Sequence, residues 1–114
     1  MVSTLMSNRD TATLEVCRTC QQSCESCAYD CCAGGPDMAT CTRVCLDCAS
    51  ICATTATLIA RGSPWAAAMA TLCVSACEQC AAECGKHDDP DCQECAATCR
   101  RCAEQCRSLA ASTS

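Results

Sequence analysis

The sequence predicts an all-α fold: an antiparallel up-down-up-down four-helix bundle with a cysteine-lined core. Three observations carry that reading. Nineteen of the 114 residues are cysteine, and eighteen of them recur at gaps of three and four within four blocks. The few glycines and prolines cut the chain into four segments of helical length. Ordinary core formers are scarce, with no Phe, one Trp and one Tyr, so something other than aromatic and aliphatic packing must fill the interior. Cysteine, which buries readily as a small hydrophobe, is the available material.

The first helix is expected near residues 10–33, with cysteines at Cys17, Cys20, Cys24, Cys27 and Cys31. The second is expected near 36–61, with Cys41, Cys45, Cys48 and Cys52. The third, near 64–84, carries Cys73, Cys77, Cys80 and Cys84, and the fourth, near 90–109, carries Cys92, Cys95, Cys99, Cys102 and Cys106. Strict alternation of three and four keeps each set on one helix face, the pattern of heptad core positions with Cys in place of Leu. Only Cys32 lies off these stripes. Gly34, Gly62 and Gly85 each follow a helical segment, where a C′ glycine belongs. Pro36, Pro64 and Pro90 fall at first helical positions, where the missing N–H costs nothing. Gly35, Ser63 and Asp89 then become N-caps. Connections this short force successive helices to run antiparallel, so the whole chain, 1–114, reads as one domain. Residues 1–9 and 111–114 are expected to be loose or to add a turn.

The formal net charge of −5 comes with no basic block, which argues against a nucleic-acid partner. The N-terminal stretch MVSTLMSNRD has neither a basic nor an apolar signal region, so a cytoplasmic location with reduced thiols is expected. With no uninterrupted run of about 18 apolar residues, no membrane span is expected.

Four cysteine stripes on antiparallel helices converge on one axis, making a tube lined with sulfur. Disulfides suit it badly: helix axes lie ~8–10 Å apart, whereas a disulfide wants Cα atoms within ~4.4–6.8 Å. The six CxxC matches (Cys17/Cys20, Cys24/Cys27, Cys45/Cys48, Cys77/Cys80, Cys92/Cys95 and Cys99/Cys102) are by-products of the heptad, since a redox CxxC wants one copy in a βαβ setting. Zinc with four thiolates carries a charge of −2, and several such centres stacked in a dry core would be costly. Iron–sulfur clusters share that excess charge. Cu(I) fits best: it is soft and prefers thiolate. At about one Cu(I) per bridging thiolate the loaded core is nearly neutral. The reading is a store for many Cu(I) ions, loaded as thiols lose protons.

The two ends of the tube differ. One collects Leu14, Leu58, Ile59, Trp65, Met69, Leu72 and Leu109, with no cysteine between Cys52 and Cys73, and is expected to be an apolar plug. The other collects Cys31, Cys32, Met38, Cys41, Cys84, His87 and Cys92, a mouth where copper would enter. His87 is equally a solvated loop residue or a mouth ligand, Met38 equally first-turn packing or a ligand, and Cys32 equally an incidental thiol or a ligand. Val44, Ile51 and Leu58 form a seven-residue stripe beside the cysteines, for packing within the chain or for an oligomer contact.

With CxxC and CxxxC on all four helices, and a His and a Met at the mouth, residues 10–109 resemble the bacterial copper storage proteins, in particular their cytosolic branch. The resemblance implies a four-helix bundle, usually a homotetramer, whose interior cysteines hold many Cu(I) ions. Carried onto this chain, the ligands are the cysteines named above, with His87 at the mouth. The function expected is cytosolic copper storage without catalysis. The alternatives are Zn(II) or Cd(II) buffering in the manner of metallothionein, and a redox-active thiol reservoir or iron–sulfur protein.

Overall fold

The computed structural model describes residues 8–31 and 38–111. The expectations for Cys32, Gly34, Gly35 and Pro36 lie outside those residues, as does the side chain of Cys31. The described chain contains four α-helices: α1 (Asn8–Ser26), α2 (Ala39–Arg61), α3 (Ala66–Cys84) and α4 (Pro90–Ala111). Helix α1 begins before its expected start, and α4 runs on to Ala111.

Helix α1 does not continue as regular α-helix to its expected end. The turn that follows Ser26, Cys27–Cys31, is a π-helix and is the last one described before residue 38. A π turn is wider than an α turn by one residue. Cys27 and its neighbour Ala28 are both buried, as are the pairs Cys48/Ala49 and Cys95/Ala96 of the regular helices.

Gly62 ends α2 as expected. Its φ of 66° is left-handed; its N–H bonds to the Ile59 carbonyl at 3.0 Å, and the Ser63 N–H reaches Leu58 at 3.0 Å. This is a Schellman closure, which satisfies carbonyls the helix leaves open. Gly85 differs, with a φ of −65°. The chain beyond α3 winds on in tight right-handed turns, in which Lys86 N–H bonds Glu83 and His87 N–H bonds Cys84.

Of the expected caps, Asp89 is present, whereas the N-cap of α3 is Trp65, two residues beyond the expected Ser63, so Pro64 precedes the helix instead of opening it. Asp89 Oδ1 accepts the Asp91 N–H at 2.8 Å, and Pro90 is the first residue of α4. Ser63 Oγ accepts the Trp65 N–H at 3.0 Å, although regular α-helix starts only at Ala66. Such caps each contribute about 1 kcal/mol.

Each helix packs on its two neighbours in a square: α1 on α2 and α4, α3 on α2 and α4. Thiol contacts give the directions. Cys17 meets Cys106 while Cys27 meets Cys92, so α1 and α4 are antiparallel. Cys52 meets Cys73 while Cys41 meets Cys84, so α2 and α3 are antiparallel. Contacts Cys20–Cys77 and Cys27–Cys84 cross the bundle axis between α1 and α3.

Helix α2 has a mean hydropathy of 1.4 over an 18-residue window, long and apolar enough by composition to cross a membrane. The absence of an uninterrupted apolar run does not reveal this, because cysteine and alanine raise the average. Its inward face is spent on the bundle: Cys41, Cys45, Cys48, Ala49, Cys52, Thr55, Ala56 and Ile59 are all buried.

The end opposite the mouth departs from expectation. Trp65 is 71% and Leu72 50% exposed, so neither belongs to the plug. Ile59 and Leu109 are buried, Leu14 packs on the core, and Leu58 and Met69 are half-buried. The positions closing that end are Thr13, Thr55 and Ala70, all at 0% exposure. Thr55 Oγ1 donates to the Ile51 carbonyl at 2.7 Å, which lets its hydroxyl be buried at little cost. These residues simply continue the cysteine stripes by three- and four-residue steps, whereas Leu72 is one residue off its stripe. Val44 and Ile51, half-buried, pack against the core within the chain. On the surface, Arg107 pairs with Glu78 across α3 and α4, an exposed contact worth little.

Candidate metal centre

All seventeen cysteines with described side chains are buried, none more than 2% exposed. Sixteen are free thiols. Cys92 is the exception to the expectation of reduced thiols: it is disulfide-bonded, and becomes a ligand only on reduction.

The thiols form a continuous chain of contacts along the bundle axis. At the mouth, Cys27 Sγ lies 3.9 Å from Cys92 Sγ and 4.0 Å from Cys84 Sγ. Cys84 lies 3.8 Å from Cys41 and 3.4 Å from Cys45. The path goes on from Cys45 to Cys80 and from Cys80 to Cys24, each at 3.8 Å. Cys99 bridges Cys24 at 3.7 Å and Cys20 at 3.6 Å. Cys77 then links Cys20 at 4.0 Å to Cys48 at 3.7 Å and Cys52 at 3.8 Å, and Cys52 meets Cys73 at 3.8 Å. Beside the plug, Cys17 lies 3.7 Å from Cys106 and 3.8 Å from Cys102. A metal bound at ~2.3 Å to each of two sulfurs spans at most ~4.6 Å, so every one of these gaps can be bridged.

Among the described residues the contacts include five four-thiol groups, each with all sulfurs within 4.8 Å of one another: Cys17/Cys73/Cys102/Cys106, Cys20/Cys52/Cys77/Cys102, Cys20/Cys24/Cys48/Cys99, Cys24/Cys80/Cys95/Cys99 and Cys27/Cys41/Cys45/Cys84. Together they take in all sixteen free thiols. Cys20, Cys24, Cys99 and Cys102 each belong to two groups. Isolated tetrahedral zinc knuckles would not share ligands in this way, whereas thiolate bridging between adjacent soft ions requires it.

Proton sharing follows the same groups. A thiol that accepts S–H hydrogen bonds is stabilised as thiolate, while the donor holds its proton. Hydrogen bonding from Cys24 and then Cys45 lowers Cys80 from 9.0 to about 6. Cys106 and then Cys17 lower Cys102 likewise to about 6. Cys102 lowers both Cys20 and Cys73, and Cys24 lowers Cys95. Cys48 is lowered as well, Cys24 and Cys52 outweighing an opposing Cys20. Their partners move the other way: Cys102 raises Cys17, Cys52 and Cys77, and Cys20 raises Cys24 and Cys99. Cys102 also raises Cys106, and burial adds to every rise. The first four of these groups, those away from the mouth, therefore each combine two thiolate-prone and two proton-holding members.

The mouth has a different make-up. In its group Cys45 is raised, by Cys80 first, and Cys84 is raised, Cys80 and Cys95 prevailing over an opposing Cys45. His87 sits three residues beyond Cys84, with its N–H on the Cys84 carbonyl at 3.1 Å. Its ring Nε2 lies 3.3 Å from Glu83 Oε2. Met38 packs against the core immediately before α2, its carbonyl accepting from Thr42 Oγ1 at 3.0 Å. Of the expected mouth residues, Cys41 and Cys84 are in contact, Cys92 meets Cys27, and the His87 backbone is tied to Cys84, while Cys31 and Cys32 lie outside the described side chains; Glu83 is added beside His87. Its spacing of four before His87 on a helical segment is the signal that could have found it.

Known proteins with the same fold and cysteine richness bind copper. A Cu(I)-bound copper storage protein from Bacillus subtilis superposes with a TM-score of 0.85 at 38% identity, covering 90% of this chain and 99% of that one. A cytosolic copper storage protein from Streptomyces lividans, with five coppers loaded, gives 0.86 at 31% identity over 93% of this chain and 95% of that one. The uncharacterized cysteine-rich protein YhjQ of Bacillus subtilis strain 168 is 39% identical over 102 residues, 88% of this chain and 94% of its own length. Residues 6–111 match the family described as copper storage protein, and with its sulfur-lined bundle the chain belongs to that family.

Proposed function

We propose that this chain stores Cu(I), binding many ions through the cysteine thiolates inside the bundle at about one per cysteine. The observation that carries the reading is the sharing of Cys20, Cys24, Cys99 and Cys102 between adjacent groups, which builds one extended cluster site. Copper enters at the Cys92 end, where Cys27, Cys41, Cys84 and Cys92 converge with His87 and Met38 as further ligands. It then passes inward by ligand exchange between sulfurs no more than 4.8 Å apart. Each Cu⁺ displaces a proton or meets a thiolate, so the loaded core stays near neutrality and escapes the cost of many buried charges. Residues 1–114 act as a single cytoplasmic storage domain with no catalytic step, assembled as a homotetramer as the family resemblance implies. The whole cysteine set, Cys31 and Cys32 included, supplies the ligands.

Anaerobic Cu(I) titration of the fully reduced protein against a chromophoric chelator tests this, with Zn(II) run in parallel. Chelator free of copper until about one Cu(I) per cysteine is the expected result. Tight binding that stops after a few ions, or zinc holding its sites against copper, would overturn the storage reading.

A further inference from the structure

The α3–α4 connection is held unusually firmly for an exposed loop. The Gln93 side-chain amide donates to the Gly85 carbonyl at 3.2 Å and to the His87 carbonyl at 2.7 Å, and the His87 N–H is bonded to Cys84. The backbone of His87 is thereby tied to a mouth cysteine on one side and to α4 on the other. Its side chain is held too: Glu83, one turn earlier on α3, places Oε2 3.3 Å from Nε2, and both side chains are mostly shielded, 14% exposed for Glu83 and 23% for His87. Lys86 occupies the other carboxylate oxygen at 3.3 Å. An ionised carboxylate only accepts hydrogen bonds, so the ring nitrogen facing it carries the proton. A neutral imidazole then keeps its lone pair on the other nitrogen, Nδ1. Metal-binding histidines characteristically have this partner, which fixes the ring and raises its basicity.

We propose that Glu83 is a positioning residue for copper entry: it locks His87 in the Nε2–H tautomer and presents Nδ1 as the first nitrogen ligand at the mouth. This rests on His87 being a mouth ligand and names the group that makes it one. Glu83 does not itself touch copper. The deeper sulfur groups do not depend on it, so the total capacity is independent of Glu83 and the uptake rate is not.

The test is stopped-flow transfer of Cu(I) from its bicinchoninate complex to reduced apo-protein, for Glu83→Ala, Glu83→Gln, His87→Ala and the double variant. Glu83→Ala slows uptake by about tenfold, Glu83→Gln, whose amide oxygen still accepts from Nε2–H, stays near the parent rate, and Glu83→Ala adds nothing in the His87→Ala background. Equilibrium capacity is unchanged throughout. In ¹⁵N-histidine-labelled protein the first copper equivalent shifts Nδ1 while Nε2 keeps its proton. Glu83→Gln as slow as Glu83→Ala would mean that only the negative charge matters and would overturn the proposal. Slowing by Glu83→Ala that persists without His87, or copper on Nε2, would overturn it as well. A normal rate for His87→Ala would instead remove the mouth-ligand reading beneath it.

Discussion

The two ends of the bundle are built from the same helical stripes and do opposite things. At the plug the stripes run out of cysteine and continue as Thr13, Thr55, Ile59, Ala70 and Leu109, all buried. At the mouth they continue in cysteine to the last turn and are joined by His87, Met38 and Glu83. Between them the sulfur chain is unbroken. The stripes therefore end on one side in side chains that cannot bind a soft metal and on the other in buried thiols that can. The plug is made of small and aliphatic residues, and the large aromatic Trp65 is left outside it.

The comparison is broken most severely in the middle of the tube. Replacing Cys24 and Cys99 together by Ser removes sulfurs that each serve two groups, so about two to four Cu(I) sites should be lost, whereas Cys41→Ser at the mouth removes about one. Titration to saturation, read by chelator competition, distinguishes these outcomes, and equal losses would refute the shared-ligand geometry.

The plug should respond in stability instead. Ile59→Ala leaves a cavity at a residue 3% exposed and should cost about 2–5 kcal/mol in apo-protein unfolding, with copper capacity intact. Loss of capacity in that variant would mean that the plug is part of the store.

Acidification sharpens the contrast within the sulfur chain. Cys80 and Cys102 titrate at about 6, below the ordinary 9.0, so above pH 6 they are thiolates and bind copper without releasing a proton. Raised thiols such as Cys24 and Cys77 hold their protons through that range and must release them on loading. Copper retention should therefore weaken steadily from pH 9 to 6 and more steeply below 6, as Cys80 and Cys102 begin to take up protons in competition with copper. Retention against chelator at pH 5, 6.5 and 8 would show it; a pH-independent profile would contradict proton–copper exchange.

A smaller effect is expected at the mouth, where Cys92 is oxidised. Titration with and without prior anaerobic reduction should differ by about one or two Cu(I), the sites Cys92 and its bonded partner supply. The smallest effect belongs to Trp65→Ala, at 71% exposure, which should alter stability by less than about 0.5 kcal/mol. A large loss would put Trp65 in a contact with another chain. Far-ultraviolet circular dichroism of reduced apo-protein should meanwhile remain helical, since buried thiols already pack as small hydrophobes.

The spacing of eighteen cysteines, the turn residues Gly62, Ser63, Asp89 and Pro90, and the missing aromatics determined by themselves the four helices, their antiparallel order and an interior of sulfur. These are consequences of helical periodicity and of backbone preference, which act over a few residues and are written locally. At the plug, apolar character alone identifies Ile59 and Leu109 but not the rest: extending each stripe by its phase finds Thr13, Thr55 and Ala70 and excludes Leu72. Only the tertiary structure decided how the stripes mesh across the axis. Which four sulfurs meet, that Cys20, Cys24, Cys99 and Cys102 serve twice, that a π turn follows α1, and that Glu83 faces His87 all depend on helix rotation and axial offset. Those are set by packing between segments distant in sequence, where ångström shifts decide which thiols share a metal.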